Sequence, residues 1–144
     1  MKIDIRQIEY GSQDHKLMCI LRNTILGKPL GLNFNGNMLE EEQKDILIGA
    51  FIDDHITGCC MLTIIDNKQL QLRQMAVISE LQKKGIGKQV VQFAEEIAKA
   101  KGYSVIILHA RSTALEFYNQ LGYHTEGNAF VEVGIPHYMM KKQL

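Results

Sequence analysis

Apolar positions along the chain change period several times, and each change marks an element. Ile3, Ile5 and, after a slip, Ile8 alternate with polar residues, as in a half-buried strand closed by Gly11-Ser12. Ser12 stands where a helix N-cap belongs, before a helical run carrying Leu17, Cys19, Ile20, Leu21, Thr24 and Ile25 that Gly27 and Pro29 end. From Lys28 to Glu42 the periodicity dissolves, which predicts a loop with at most a short helical turn. A loop of that length in a compact domain is more often functional than idle.

Asp45 to Asp53 and Ile56 to Ile65 are β-rich runs, joined as a hairpin through Asp53-Asp54-His55. Asp66-Asn67-Lys68 turns the chain into a third run, Leu70 to Ile78. A glycine-bearing loop follows, then a helix with Phe93, Ala94, Ile97 and Ala98 on one face, running to about Lys101 and capped by Gly102. Val105 to Leu108 is continuously apolar, as a strand covered on both faces would be. Ser112 is expected to cap a short helix in which Ala114, Phe117 and Leu121 share a face and which Gly122 stops. Two last strand-like runs, Tyr123 to Val133 and Tyr138 to Lys142, lie around Gly134-Ile135-Pro136. With no repeat or linker, residues 1–144 read as one α/β domain.

Composition narrows the functional classes. The chain has 144 residues, 46% hydrophobic and 22% charged, an ordinary globular balance with enough length to bury a core. Lys+Arg 16 against Asp+Glu 16 gives zero net charge, which argues against a nucleic-acid binder. The first residues hold no apolar signal region, and the longest uncharged apolar stretch, Ile56 to Ile65, is far short of the roughly 20 residues that span a bilayer. The expectation is a cytoplasmic protein without a membrane partner. Three cysteines, two of them adjacent (Cys59-Cys60), form neither a metal-ligand spacing nor a disulfide framework, so reduced thiols and no metal site are expected.

The candidate chemistry begins at Gln82-Lys83-Lys84-Gly85-Ile86-Gly87-Lys88, between a strand and a helix. Glycines at a helix entrance let main-chain N–H groups approach a ligand, and the first-turn N–H groups have no intrahelical partner. Those donors, the helix dipole and three lysines favour a pyrophosphate. A P-loop would need Ser or Thr after Lys88, where Gln89 stands; a dinucleotide fold would need a small residue where Val90 stands. The remaining pattern, Gln82-x-x-Gly85-x-Gly87, resembles the signature of the GNAT N-acetyltransferase superfamily, whose loop holds the pyrophosphate of acetyl-CoA.

Two further stretches carry the resemblance. Ala114-x-x-Phe117-Tyr118-x-x-x-Gly122-Tyr123 is similar to the helix that GNAT enzymes place beside the thiol of CoA, and Phe130-Val131-Glu132-Val133-Gly134-Ile135-Pro136-His137-Tyr138-Met139-Met140 to the ending of the ElaA-like branch. The resemblance implies a mixed, mostly antiparallel sheet flanked by helices and splayed between strands four and five. It implies that Tyr118 protonates the departing thiolate, and that main-chain groups of Met75, Ala76 and Val77 pair with pantetheine, one N–H acting as an oxyanion donor. Gln82, Lys83, Lys84, Gly85, Ile86, Gly87 and Lys88 then form the cofactor loop. Where the family often has an asparagine, this chain has Arg111, which is taken as a contact to a CoA phosphate; where the family often has a carboxylate base on strand four, it has Arg73.

The base is therefore open among His137, Glu132, His109 and a water chain. A neutral imidazole titrating near 6.5 suits that work, and Ile135-Pro136 holds the backbone extended before His137. His109 and His137 are also candidate substrate contacts. So is Arg22, whose guanidinium fork suits a carboxylate, in a stretch from Leu21 to Leu32 that falls where GNAT folds put the acceptor wall. The implied activity is transfer of acetyl from acetyl-CoA to a primary amine, on a small molecule, by direct attack in a ternary complex. A non-catalytic acyl-CoA sensor and a protein lysine or N-terminal acetyltransferase are the alternatives, and apolar residues on the last strands would allow a homodimer.

Overall fold

The computed structural model describes residues 2–27 and 42–144. The stretch from Lys28 to Glu41, including the Pro29 to Leu32 part of the expected acceptor wall, lies outside the described residues. Seven strands form one sheet: β1 (Asp4–Ile8), β2 (Ile46–Ile52), β3 (His55–Ile64), β4 (Gln69–Val77), β5 (Val105–Arg111), β6 (His124–Glu132) and β7 (Ile135–Gln143). Their spatial order is β1-β2-β3-β4-β5-β7-β6, antiparallel throughout except for the parallel pair β4-β5. Among the described residues three α-helices accompany them: α1 (Gln13–Arg22), α2 (Ile86–Ala100) and α3 (Leu115–Gln120).

Each face of the sheet meets its own apolar partner. Ile48, Ala50, Cys60, Leu62, Leu70, Leu72, Ile106 and Leu108 pack on one side against Ile86, Val90, Ala94 and Ala98 of α2. Ile8, Leu47, Phe51, Cys59 and Met61 pack on the other against Met18 and Leu21 of α1. Side chains of a strand alternate between faces, so Ile5 belongs to the first layer and Ile8, three residues on, to the second. The slip expected in β1 is thus absent: the strand is regular, Asp4↔Phe51 through Ile8↔Leu47, and covered on both sides.

Local chemistry explains most boundaries. The Ser12 side chain accepts from the His15 N–H at 3.1 Å and caps α1. Asp53 and Asp54, with φ of 50° and 62°, form the tight turn between β2 and β3. Two expectations need correction. Ser112 does not cap α3; it opens a 3-10 turn, Ser112–Ala114, and no side chain caps the helix that follows. The reversal between β6 and β7 is Val133-Gly134, with φ of 45° and 74°, so Ile135 and Pro136 lie inside β7 rather than in the turn. After Arg22 the first helix widens into a π turn, Asn23–Gly27. No helix among the described residues is long and apolar enough to cross a membrane.

Candidate active site

The ladder between β4 and β5 runs from Gln69↔Val105 to Leu72↔Leu108 and then stops, although β5 continues to pair with β7 as far as Arg111↔His137. The cause lies on β4. Its register against β3 jumps between Cys59↔Ala76 and Met61↔Arg73, which places one extra residue on β4. Gln74, at φ 55°, sits in that bulge. A bulge sharpens the twist of its strand and bends it, and here it coincides with the point where β4 leaves β5. It also shifts the alternation, so that Met75 and Val77 join the α2 layer with Leu72, while Ala76 joins the α1 layer. Because the N–H of Ile78 is bonded to Thr57 on β3 at 2.9 Å, alternation turns the main chain of Val77 and Met75 into the gap.

The gap opens into a cleft of about 1170 Å³ that contains most of the residues singled out from the sequence. Met75, Ala76 and Val77 line it from β4; Gln82, Lys83, Gly85, Gly87 and Lys88 from the loop and first turn of α2; Arg111 from the end of β5 and Tyr118 from α3; His109 of β5, Glu132 of β6 and His137 of β7 from the far side. Leu26, Gly27, Gln71, Arg73 and Phe117 also line it. Lys84 does not reach its wall, and the Ile86 side chain is buried in the core at 1% exposure, leaving its main chain at the start of α2 as the part that fits the expected role. Polar Gln71 and Arg73 alternating with Leu70 and Leu72 are the signal that marks this wall of β4.

The loop has the form a pyrophosphate needs. Gly85 is the N-cap of α2 in the left-handed region, φ 88°, and a Cβ built there would meet nothing within 4 Å, so its surroundings are open. Gly87 is small for another reason: a Cβ there would lie 3.2 Å from both Met75 Cε and Phe117 Cζ. It thereby seats α2 against the bulged strand and α3. No side chain caps α2, so its first-turn N–H groups keep their donors for an anion. The Gln82 side chain donates to the Val77 carbonyl at 3.0 Å, tying the loop to the end of β4.

Tyr118 is 6% exposed and held between aromatic edges, with Phe117 at 4.9 Å and Tyr123 at 5.8 Å between ring centroids. Burial pushes its phenol well above the ordinary tyrosine range, with a smaller contribution from Cys60. It is therefore a protonated donor at neutral pH. Behind it, the Tyr123 hydroxyl donates to Glu95 at 2.9 Å, and Lys142 donates to the same carboxylate at 3.0 Å and to the Leu121 carbonyl at 2.7 Å. This network joins α2, β7 and the end of α3.

Across the cleft a carboxylate is shared by two imidazoles. Glu132 Oε1 lies 3.1 Å from His109 Nδ1 and Oε2 lies 3.6 Å from His137 Nε2. The other ring nitrogen of His137, Nδ1, faces the Ile135 carbonyl at 2.8 Å. A carbonyl only accepts, so Nδ1 carries the proton and Nε2 of the neutral ring has its lone pair free. Phe130 packs between the histidines, with ring centroids 5.1 Å from His109 and 6.1 Å from His137.

Arg22 is elsewhere. It is 1% exposed and donates through both terminal nitrogens to Glu42, at 2.7 and 2.6 Å. The carboxylate that its fork grips belongs to this chain, and Arg22 is not among the residues lining the cleft. The cysteines are no nearer to chemistry. Cys59 and Cys60 are fully buried; burial drives the Cys59 thiol up to about 12 and the Cys60 thiol well above its usual value, so neither supplies a thiolate.

The sequence profile of the acetyltransferase (GNAT) domain family matches residues 33–144. Among curated proteins, the uncharacterized protein YyaT of Bacillus subtilis is 38% identical over 106 residues, covering 74% of this chain and 70% of that one. Among solved structures, Escherichia coli ElaA superposes with a TM-score of 0.81 at 16% identity, covering 98% of this chain and 99% of that one. An aminoglycoside 6'-N-acetyltransferase complexed with coenzyme A superposes with a TM-score of 0.83 at 17% identity, covering 97% and 96%. At such identities the structures speak for the fold, and the sequence match speaks for the family. On these grounds, with the splayed strands and glycine-capped helix already described, the chain belongs to the GNAT acetyltransferase family.

Proposed function

We propose that this protein transfers an acetyl group from acetyl-CoA to a primary amine of a small molecule, by direct attack within a ternary complex. The observation that carries the reading is a single cleft in which an anion-ready helix start, an opened strand edge, a buried phenol and an imidazole–carboxylate pair all converge. The N-terminus of α2 with Lys83 and Lys88 is suited to the pyrophosphate. The exposed main chain of Met75 and Val77 is suited to the pantetheine amides, as an added strand would be.

The chain's own groups then account for the proton movements. His137 Nε2 takes a proton from the attacking amine, and the resulting imidazolium is held by Ile135 at Nδ1 and by Glu132 at Nε2. As the new C–N bond forms and the C–S bond breaks, the Tyr118 hydroxyl donates to the leaving sulfur. A main-chain N–H in the gap steadies the oxyanion between these events. The burial of Cys59 and Cys60 supports a route without a covalent acyl-cysteine.

The test is acceptor-dependent CoA release over a panel of amines, with the acetylated product identified by mass spectrometry. Stoichiometric CoA and N-acetyl product support the reading. Tight acetyl-CoA binding without turnover of any amine would overturn it in favour of a sensor.

A further inference from the structure

Two hairpins among the described residues reverse the chain through two-residue loops, and they differ in the residues they use. Between β2 and β3 the last pair is Ile52↔His55, and the loop is Asp53-Asp54 with φ of 50° and 62°. Between β6 and β7 the last pair is Glu132↔Ile135, and the loop is Val133-Gly134 with φ of 45° and 74°. Successive positive φ angles demand residues that tolerate the left-handed region, which is why Asn-Gly and Asp-Gly lead in such turns. Asp53, Asp54 and Gly134 meet that demand. Val133 does not, because a β-branched side chain crowds its own backbone there. Core packing does not account for the choice, since Val133 is 54% exposed.

The position of Val133 does account for it. Val133 lines the cleft, and Asp53 and Asp54 do not. It directly follows Glu132, whose carboxylate lies 3.6 Å from the His137 ring nitrogen that takes the amine proton, and neighbouring Cα atoms stand about 3.8 Å apart. A side chain kept in an unfavourable backbone conformation at the rim of a reactive site is strain of the kind that accompanies a ligand contact. Its isopropyl group offers no hydrogen bond, so what it recognises is hydrocarbon. Leu26, from the π turn after α1, brings another aliphatic side chain to the cleft wall. Resting on the acetyltransferase reading above, we infer that Val133 selects the acceptor, and that the acceptor is an amine with an apolar alkyl or arylalkyl skeleton. With the nitrogen at His137, the skeleton lies toward Val133. A hydroxyl or second ammonium group brought to that side chain loses water without gaining a partner from it.

The experiment compares hexylamine and phenylethylamine with aminohexanol and diaminohexane, using wild-type protein, Val133→Asn and Val133→Ile. Thermal melts and calorimetric titration with acetyl-CoA accompany each protein. The wild type is expected to favour the apolar amines in kcat/KM by about three- to tenfold, the scale of one half-buried aliphatic contact. Asparagine tolerates the left-handed region, so Val133→Asn should raise Tm by about 2–5 °C. The same substitution should abolish the preference through a raised KM for the apolar amines, with acetyl-CoA affinity unchanged, and Val133→Ile should keep it. A purely structural valine would not move stability and selectivity in opposite directions. Wild-type indifference among the amines, a Tm lowered by Val133→Asn, or a preference that survives in that variant, whether or not sedimentation shows a dimer lost with it, would overturn the inference. Acetylation of the amines without the preference removes only the acceptor assignment. Acetyl-CoA binding with turnover of no amine, or no binding at all, removes the transferase reading beneath it and the assignment with it.

Discussion

Glu132 Oε2 faces His137 Nε2 at 3.6 Å while the opposite nitrogen of the same ring is held by the Ile135 carbonyl at 2.8 Å. Ring orientation and tautomer are thereby set by two neighbours, and a proton taken at Nε2 arrives next to a carboxylate. His137→Gln should lower kcat by about 10²- to 10⁴-fold, the usual contribution of a positioned base, with the acetyl-CoA KM nearly unchanged. Glu132→Gln should cost less, because the imidazole stays in place. Steady-state kinetics with acetyl-CoA and acceptor varied separately reads both; an unaltered kcat in His137→Gln would remove the imidazole from the mechanism.

Tyr118 is buried, and its phenol is shifted upward by that burial. The protonated, donating form is the active one in this account, so the shift extends its working range toward alkaline pH. Any fall in kcat between pH 8 and about 10 should therefore persist in Tyr118→Phe, whose turnover is lower throughout while CoA affinity is retained. A wild-type alkaline limb that disappears in Tyr118→Phe would contradict this.

The Cys59 thiol, raised to about 12 from a starting value of 9.0, gives a stability prediction with a definite sign. An acid whose folded value is raised is uncharged in the native state where the unfolded chain would already ionise it. Its contribution is complete below pH 9 and is lost as pH climbs toward 12. Thermal melts across that window should show Tm declining, with a shallower decline in Cys59→Ala relative to that variant's own Tm at pH 8. Native protein should also leave Cys59 and Cys60 unreactive toward a thiol reagent that titrates all three cysteines after unfolding.

Arg22 and Glu42 close a bidentate pair in the interior across 20 residues of chain. Arg22→Met leaves a buried carboxylate without its fork, which typically costs about 3–5 kcal/mol. Denaturant unfolding should report that loss, and the acceptor KM of the folded fraction should be unchanged. A large acceptor KM shift at normal stability would return Arg22 to the substrate-binding role that its residue type suggested.

The parts of the site that could be read from sequence are those encoded over a few neighbouring residues. Gly85 and Gly87 announce a helix entrance because only particular backbone shapes need them, and Ala114, Phe117 and Leu121 announce a helix face through spacing alone. The Asp53-Asp54 hairpin is legible for the same reason. What escaped depends on partners far along the chain. Nothing local in Gln74 signals a bulge, since a glutamine carries the positive φ where glycine would be the cue. Arg22 looks like a surface or ligand-binding arginine until Glu42 is brought to it. The last strand reads as starting at Tyr138 because proline cannot donate to a ladder, yet it begins at Ile135 and Pro136 pairs with Val131 of the outermost strand, β6.

The most direct test of the whole account is calorimetric titration of acetyl-CoA into the wild-type protein and into Gly85→Asp, whose carboxylate would stand in the open space at the start of α2. One-to-one binding to the wild type and none to a folded Gly85→Asp is the predicted result. No heat and no thermal shift with the wild type at millimolar acetyl-CoA, or equal affinity in the variant, would contradict it.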